Sequence, residues 1–498
     1  MFYWATLVTH DLFNTDTTDR FVNQTTSYVD LGWLYGGYSV PLHYNVSLIV
    51  IGWNQEMQDS VRDKKGYRGK LYPDVFADYR LVIQPPGVPT MALLFNRNHN
   101  WIAEQLLIKS KDDYRFASIP EDDDIEGLER LDEHLFQTAR NINVGTFITA
   151  VLYDYVRMLL GINRVNTTWT LPIPNDFTTE PKDLSPIGKD IPKATGNQCS
   201  IEFNFIYRWH SAIAVEDEKW VENTFKEIGP KGISDDIGAN IPFQVPTMIK
   251  AMKSRLQVRK ETPPTERDYF IYSGGLTRDK SGRFPDAALA EFLHKGTDYA
   301  AGAFGGRQVP EVLKPVEVMG ILHGRQLGVC TLNELRTLCN LREYKTFSEM
   351  NSDPEIASAL EELYGDVSLV ELYPGLVAEE AKPKQAATGL CAGRTITYGI
   401  LSDAVALVRG DRFLTTELNP YNLTTWGFDE IQPDLTRNFG CVLGDKLLNR
   451  HLGEKNCPRD SIYTQFPFST PQETKTNILS FGLGELYRET RKPTTNSK

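Results

Sequence analysis

The chain has 498 residues, of which 41% are hydrophobic and 24% charged, so it has ample material for a large globular core. Its net charge of −12 argues against general nucleic-acid binding, which needs a basic surface. No apolar run approaches the roughly 20 residues of a membrane-spanning helix. The apolar start, Met1–Val8, lacks the basic residues and the cleavage site of a secretory signal. The sequence therefore predicts a cytoplasmic protein, and association with a membrane or lipid-body surface is left open.

The predicted elements are mainly α-helices. Residues 1–22 are predicted to form a short helix that carries His10, and an oxygen-rich loop spans residues 23–36. Tyr44–Trp53 alternates enough for a short strand or strand pair. Helical apolar spacing then predicts the elements that follow, at residues 90–109, 127–160, 310–345, 353–366 and 394–407.

The connections between these helices are rich in polar residues. Residues 163–198 form a Pro/Asn/Asp/Thr-rich connection, residues 380–390 form a small polar loop, and the tail from Asp411 is predicted to be rich in loops. No βαβ series and no glycine fingerprint for nucleotides is visible. The sequence thus predicts a mainly α fold with little β structure.

Tyr207 and His210 are the most informative pair of residues. Three residues apart in a stretch that can be helical, they would share one face of a helix. A histidine there can bind a haem iron, and a tyrosine beside the same haem could be oxidised to a radical. Taken alone, an aromatic Tyr-x-x-His segment is more often ordinary core packing.

Three further features have a possible role around a haem. His10 could move a proton between peroxide oxygens, and Asp11 beside it could bind a metal. The segment from Thr26 through Tyr28 to Asp30 offers oxygen ligands suited to Ca²⁺, although a simple turn would look the same. Arg80 could stabilise negative charge on a leaving oxygen, although an isolated arginine or histidine is commonly a surface residue.

Several segments, in the right order, resemble the animal-type haem peroxidase and cyclooxygenase superfamily. The similarity is greatest to fungal fatty-acid dioxygenases, the peroxidase-like halves of linoleate diol synthases and psi-factor-producing oxygenases. It runs from about residue 5 to about residue 468. Besides the Tyr207 and His210 pair, the matching segments are Leu94–Asn100 (LFNRNHN), Glu371–Gly375 (ELYPG) and Arg412–Gly427 (RFLTTELNPYNLTTWG).

This resemblance implies a role for each candidate residue. His210 matches the proximal iron ligand, His10 the distal histidine, and Tyr207 the tyrosine that becomes the hydrogen-abstracting radical. Arg80 matches the distal arginine of the mammalian peroxidases. Four positions match calcium ligands of those peroxidases, namely Asp11, Thr26, Tyr28 and Asp30.

The chain also departs from the mammalian pattern. Gly32 replaces a serine at the last calcium position, and Leu-Val-Ile follows Arg80 without the glutamate that links haem covalently, so noncovalent haem b is implied. The asparagine that supports the proximal histidine aligns near Gly320, in a segment of uncertain register. Tyr207 stands where those peroxidases have arginine, which favours an oxygenase over a peroxidase.

The resemblance implies a peroxidase-like dioxygenase domain over residues 1–470, with the N-terminal part of the family domain missing, and a tail over 471–498. No cysteine loop of a P450 domain follows, so we expect a hydroperoxide product and no diol. The predicted activity, part of oxylipin biosynthesis, is insertion of O₂ into a polyunsaturated fatty acid such as linoleate. Homo-oligomerisation is left open. The alternatives are an H₂O₂-dependent haem peroxidase and a truncated, inactive haem-binding remnant.

Overall fold

The fold is described from a computed structural model covering residues 1–16, 19–35, 78, 80–81, 84–159, 165, 192–228, 284–302, 304–381 and 392–488. Within these ranges the chain forms helices and no β-strand, and strand-like pairing is limited to isolated bridges such as that between Thr15 and Asn23. The prediction of a mainly α fold is confirmed. The strand predicted at Tyr44–Trp53 lies outside the described residues.

The N-terminal half of the described chain carries all the residues predicted for the site. Its helices are α1 (Phe2–Leu12), α2 (Gly32–Tyr35), α3 (Gly87–Lys109), α4 (Ile125–Ala150), α5 (Val156–Leu159), α6 (Ile201–Ile206) and α7 (Val215–Ile228). A π-helical segment, Val151–Tyr155, joins α4 to α5.

The C-terminal half packs shorter helices around this set. They are α8 (Asp286–Asp298), α9 (Lys314–Leu327), α10 (Leu332–Leu338), α11 (Phe347–Met350), α12 (Pro354–Tyr364), α13 (Leu372–Ala378), α14 (Arg394–Gly410), α15 (Pro420–Leu423), α16 (Thr425–Ile431), α17 (Arg450–Leu452), α18 (Ile462–Gln465) and α19 (Pro471–Ser480). Two further π-helical segments are Phe413–Glu417 and Leu443–Asn449. The 3₁₀ turns are His210–Ala212, Glu311–Leu313, Val367–Leu369, Asn438–Gly440 and Gly484–Leu486.

Side-chain caps in the sequence fix where several helices begin. The Asp124 carboxylate accepts a hydrogen bond from the Gly127 backbone at the start of α4. At α10, Thr331 and Glu334 form a reciprocal capping box. Such caps satisfy backbone N–H groups that have no partner inside the helix, and each is worth about 1 kcal/mol.

An aromatic cluster holds α1 against the rest of the core. Trp4 is fully buried, and its ring stacks on Phe147 of α4 with centroids 4.8 Å apart. The same indole lies 5.8 Å from Phe95 of α3 and 5.8 Å from Phe468. Burial of this much aromatic surface is a large stabilising term, so the position of α1, and of His10 near its end, is set by packing.

Three predicted segments differ from the structure. The helix predicted over residues 1–22 ends at Leu12. The helical pattern at 310–345 is broken because Gly328, in the left-handed region at φ 63°, ends α9 before α10 begins. The tail from Asp411 was predicted to be rich in loops, and that prediction is wrong, since short helices and π segments fill much of it. These helices are short and locally capped, as at Thr470 and Pro471, so they give little periodic signal.

The predicted boundary at residue 470 stays a prediction. In the structure α19 packs Ile478, which is fully buried, against Ile462 and Phe466 of the preceding segment. Among the helices that the structure describes, none has the length and apolar character needed to cross a bilayer.

Candidate haem-binding and radical site

Tyr207 and His210 do not share one helix, so that expectation is wrong. Helix α6 ends at Ile206, and a separate 3₁₀ turn begins at His210. The Trp209 indole N–H donates to the Ile206 carbonyl oxygen over 2.8 Å. In a continuous helix that carbonyl would accept the N–H of His210, so the indole bond coincides with the end of the helix.

Tyr207 lies in a buried aromatic pocket, with 6% of its surface exposed. Its hydroxyl oxygen is 3.0 Å from that of Tyr155, at the end of the π-helical segment. Its ring stacks on Trp209, with centroids 4.6 Å apart and planes at 22°. Burial raises the pKa of the Tyr207 phenol above its usual value, so the hydroxyl keeps its proton at neutral pH.

His210 is held through one ring nitrogen. Its Nδ1 lies 2.5 Å from Oε1 of Glu317 in α9 and 3.1 Å from the Tyr373 hydroxyl of α13. The Tyr373 hydroxyl also donates to the same Glu317 oxygen over 2.6 Å. Since Nδ1 is engaged, Nε2 is the nitrogen left to bind a metal, and the imidazole side chain is 26% exposed.

The charge at Glu317 is stabilised by its neighbours. Burial would raise the pKa of this carboxyl, but hydrogen bonds from His210 and Tyr373 and the charge of Arg208 outweigh that effect. The pKa is therefore lower than usual, and Glu317 is a carboxylate at neutral pH.

His10 lies near the C-terminal end of α1. Its Nδ1 is buried and has no hydrogen-bond partner within the described part of the chain. Burial and the nearby Arg80 charge lower the pKa of His10 to about 4, whereas Asp78 acts in the opposite direction. The imidazole is therefore neutral at pH 7 and can accept a proton.

Arg80 contacts the helix of His10 rather than its ring. The guanidinium donates to the carbonyl oxygens of His10, over 2.9 Å, and Phe13, over 2.6 Å. It also forms an ion pair with Asp78 at 2.6 Å. Arg80 thus ties the end of α1 to Asp78, and its predicted role in stabilising a leaving oxygen stays a prediction.

Two phenylalanines bring the His10 helix and the Tyr207 segment together. The Phe13 ring, just past α1, packs edge-on against Phe203 of α6, with centroids 5.6 Å apart. Phe203 in turn packs edge-on against Tyr207, also at 5.6 Å. The two predicted halves of the site therefore belong to one continuous part of the core.

The four residues predicted to bind calcium also come together. Asp11 is 1% exposed and accepts the backbone N–H of Gly32 over 2.6 Å. The Thr26 hydroxyl donates to Asp30 over 2.9 Å and lies 3.4 Å from the Tyr28 carbonyl oxygen. Burial and the adjacent Asp30 charge raise the pKa of Asp11. Gly32, noted as a departure, lies close to both carboxylates, and a Cβ there would come within 3.3 Å of an Asp30 oxygen and 3.7 Å of an Asp11 oxygen.

The donor set fits a haem. His210 offers Nε2 with its other nitrogen held by a carboxylate, the arrangement typical of a metal-binding histidine. His10 offers a neutral imidazole whose buried Nδ1 has no hydrogen-bond partner among the described residues. A second oxidisable phenol, Tyr155, contacts Tyr207. Among the described residues, no group of three or more His, Cys, Asp or Glu forms an alternative metal centre.

Sequence reasoning missed three partners in this site. Tyr155 lay within the helix predicted at 127–160, and Tyr373 lay within the quoted Glu371–Gly375 motif, but neither was assigned a role. Glu317 lay near the segment of uncertain register around Gly320. It is 107 residues from His210 in the chain, so only the fold shows the contact.

The comparisons with known proteins show the family of the chain. The chain matches the animal haem peroxidase family over residues 49–261 and 275–443. It therefore belongs to that family, and membership implies that it binds haem.

Curated fungal proteins are similar to nearly the whole chain. A bifunctional dioxygenase-epoxy alcohol synthase of Fusarium oxysporum is 40% identical over 96% of this chain and 35% of its own length. Psi-producing oxygenase A of Emericella nidulans is 40% identical over 98% of this chain and 42% of its own length. Linoleate diol synthase of Gaeumannomyces graminis is 39% identical over 98% of this chain and 39% of its own length. The chain thus spans about two fifths of the length of these relatives.

A solved structure has the same fold. The fatty acid alpha-dioxygenase of Oryza sativa superimposes with a TM-score of 0.52 at 16% identity, covering 94% of this chain and 76% of that one. At this identity the likeness supports the helical fold of the peroxidase and cyclooxygenase type.

Proposed function

We propose that this chain is a haem-dependent dioxygenase that inserts O₂ into a polyunsaturated fatty acid, with linoleate as the favoured substrate, to give a hydroperoxide. The observation that carries the proposal is the buried Tyr207 phenol, bonded to Tyr155 and three residues before a histidine that a carboxylate holds through Nδ1. The names of the fungal relatives, among them a linoleate diol synthase, support the substrate class.

The histidines have separate roles in this proposal. Nε2 of His210 would hold haem b, bound noncovalently because Leu81–Ile83 lacks the glutamate that forms the covalent link in mammalian peroxidases. His10, neutral at working pH, takes a proton from one peroxide oxygen and returns it to the other. When bound, haem supplies a one-electron oxidant after reacting with a hydroperoxide.

Tyr207 transmits that oxidation to the substrate. It gives up one electron and its phenolic proton, and Tyr155 remains hydrogen-bonded to the resulting oxygen radical. The radical takes a hydrogen atom from a bis-allylic carbon, where the C–H bond is weak because the carbon radical is delocalised. O₂ adds to the delocalised carbon radical, and the resulting peroxyl radical takes a hydrogen atom from Tyr207, which restores the tyrosyl radical. Because only 6% of its surface is exposed, Tyr207 is shielded from bulk water during these steps.

Calcium binding beside the distal helix is the second part of the proposal. Two carboxylates, a hydroxyl and a backbone carbonyl converge near the end of α1, and oxygen ligands of this kind suit Ca²⁺. A bound cation would offset the repulsion between Asp11 and Asp30. It would also stabilise the segment that carries His10.

The test is O₂ uptake by the purified chain, loaded with haem and given linoleic acid, with products resolved by chiral chromatography and mass spectrometry. We expect a single enantiomeric hydroperoxide. H₂O₂-driven oxidation of small donors without O₂ uptake would indicate a peroxidase instead. Failure to bind haem in a one-to-one ratio would favour a non-catalytic remnant.

A further inference from the structure

His210 and Tyr373 share one carboxylate oxygen of Glu317 as their hydrogen-bond partner. One carboxylate oxygen, Oε1, lies 2.5 Å from His210 Nδ1 and accepts the Tyr373 hydroxyl over 2.6 Å. The Glu317 side chain is 18% exposed, so solvent screens this interaction only in part. The imidazole and the phenol therefore compete for the charge of the same oxygen.

Gly320 makes room for this arrangement. It lies one helical turn after Glu317 in α9, and a Cβ there would come within 2.7 Å of the Tyr373 ring and 3.3 Å of Arg208. A side chain at 320 would push the phenol away from the carboxylate.

Among the described residues, the Arg208 guanidinium makes its hydrogen bonds to groups other than Glu317. Its guanidinium donates to Asn204 over 2.6 Å, contacts His323 Nδ1 at 3.0 Å, and lies 4.1 Å from the centre of the Phe205 ring. Its charge acts on Glu317 through space. Glu317 is therefore available to accept the hydrogen bond from His210.

A carboxylate partner changes what the histidine can give to a metal. An Nδ1–H that donates to a carboxylate fixes the tautomer and the ring orientation, and it raises the basicity of Nε2. A neutral amide oxygen is a weaker acceptor of the Nδ1–H hydrogen bond, so it raises the basicity of Nε2 less than a carboxylate does. A stronger donor at Nε2 stabilises the more highly charged, oxidised state of the iron. A second donor to the same oxygen, the Tyr373 hydroxyl, weakens this effect.

We propose that Glu317 is a positioning residue that sets the reduction potential of the iron through His210, and that Tyr373 opposes it by sharing the same carboxylate oxygen. This inference rests on the proposed function insofar as His210 must be the iron ligand. Glu317 would lower the ferric/ferrous reduction potential and favour reaction with hydroperoxide. Tyr373 would limit that lowering.

The test compares Glu317→Gln and Tyr373→Phe in the haem-loaded chain. The readouts are the ferric/ferrous midpoint potential and the iron–histidine stretching frequency of the ferrous protein by resonance Raman. We expect Glu317→Gln to make the potential more positive and lower the frequency. Tyr373→Phe should shift both the other way, since the carboxylate loses its competing donor. Reaction with hydroperoxide should slow by about tenfold or more in Glu317→Gln.

Glu371→Gln is the matched control, because Glu371 pairs with Arg325 at 2.6 Å and is not bonded to His210 in the described structure. It should leave both readouts unchanged. Loss of the iron–histidine band in His210→Ala establishes the ligand independently. If that band persists in His210→Ala, the proposed ligand is wrong.

If His210 is the ligand, two outcomes would contradict the role of Glu317 and leave the assignment of the ligand unaffected. One is a Glu317→Gln protein whose potential and stretching frequency equal those of the wild type. The other is a shift of the same sign in Glu317→Gln and Tyr373→Phe. Should Glu317→Gln not fold, Tyr373→Phe decides by itself, and an unchanged potential there contradicts the proposal.

Discussion

The hydroxyl oxygens of Tyr155 and Tyr207 lie 3.0 Å apart in the core, where the two residues are 1% and 6% exposed. Tyr155 ends a π-helical segment, a local widening that often occurs at functional sites. Burial raises the pKa of both phenols, so each is protonated at neutral pH and one donates to the other. This pair gives a radical on Tyr207 a hydrogen-bond donor within reach.

Replacing Tyr155 with Phe should change the radical without removing it. The lost hydrogen bond is worth about 1 kcal/mol, so fatty-acid oxygenation should fall by roughly fivefold. In electron paramagnetic resonance, the largest g value of the Tyr207 radical should rise because its oxygen no longer accepts a hydrogen bond. Tyr153→Phe, on the same segment, is the control and should match the wild type. An unchanged g value in Tyr155→Phe would contradict this role.

Calcium should stabilise the folded chain by binding to Asp11, Thr26, Tyr28 and Asp30. At about 100 times its dissociation constant, Ca²⁺ would add about 2.7 kcal/mol to the free energy of unfolding. Asp11→Asn and Asp30→Asn should each lose most of that gain, whereas Asp19→Asn, at an exposed position in the neighbouring loop, should keep it. Calorimetric titration and chemical unfolding measure both effects. Equal stabilisation of the wild type and Asp11→Asn would exclude this site.

The buried ion pair between Arg336 and Glu379 should be far more important for stability than an exposed pair. Its atoms are 2.8 Å apart, the side chains are 6% and 1% exposed, and Glu379 also accepts bonds from Thr395. Glu379→Gln would leave a buried guanidinium without its charged partner, at a cost of about 3 kcal/mol. Arg325→Gln removes an exposed pair and should cost less than about 1 kcal/mol. Urea unfolding of both variants decides, and equal costs would contradict the prediction.

His10 should make the stability of the haem-free chain depend on pH. Its pKa is about 4 in the folded state and about 6.5 when unfolded, so between these values the unfolded chain binds the extra proton. Stability from this group is present above the unfolded pKa and is lost as pH falls. Between pH 7 and pH 5 the wild type should lose about 2 kcal/mol more than His10→Gln. Identical pH profiles in urea unfolding would show that His10 is not buried in its neutral form.

The sequence predicted the long helices because their apolar periodicity is strong. Residues 90–109 and 394–407 were predicted, and the structure has helices at Gly87–Lys109 and Arg394–Gly410. Arg394–Gly410 matches because burial of one side of a long helix repeats a pattern over many residues, whereas the first half of Gly87–Lys109 is buried on nearly all sides and is marked by its long apolar stretch. The break between Tyr207 and His210 could not be read this way, since it coincides with a side-chain hydrogen bond from Trp209 that leaves no periodic trace.

The sequence predicted the main residues of the candidate site, but it did not predict the residues that hydrogen-bond to them. His10, Asp11 and Asp30 could be named from local motifs and from the family resemblance. The contact between Glu317 and His210 joins segments 107 residues apart, and no local signal marks it. Long-range contacts of this kind follow from the packing of α9 and α13 on the Tyr207 segment, which the sequence alone does not specify.

The most direct test of the central claim compares the wild type with Tyr207→Phe in the haem-loaded chain. One experiment measures O₂ uptake with linoleic acid, and a parallel one measures H₂O₂-driven oxidation of a small donor. The account predicts that Tyr207→Phe abolishes O₂ uptake and retains donor oxidation, because His10 and His210 are intact. Fatty-acid oxygenation that persists in Tyr207→Phe would contradict the assignment of the radical to this tyrosine.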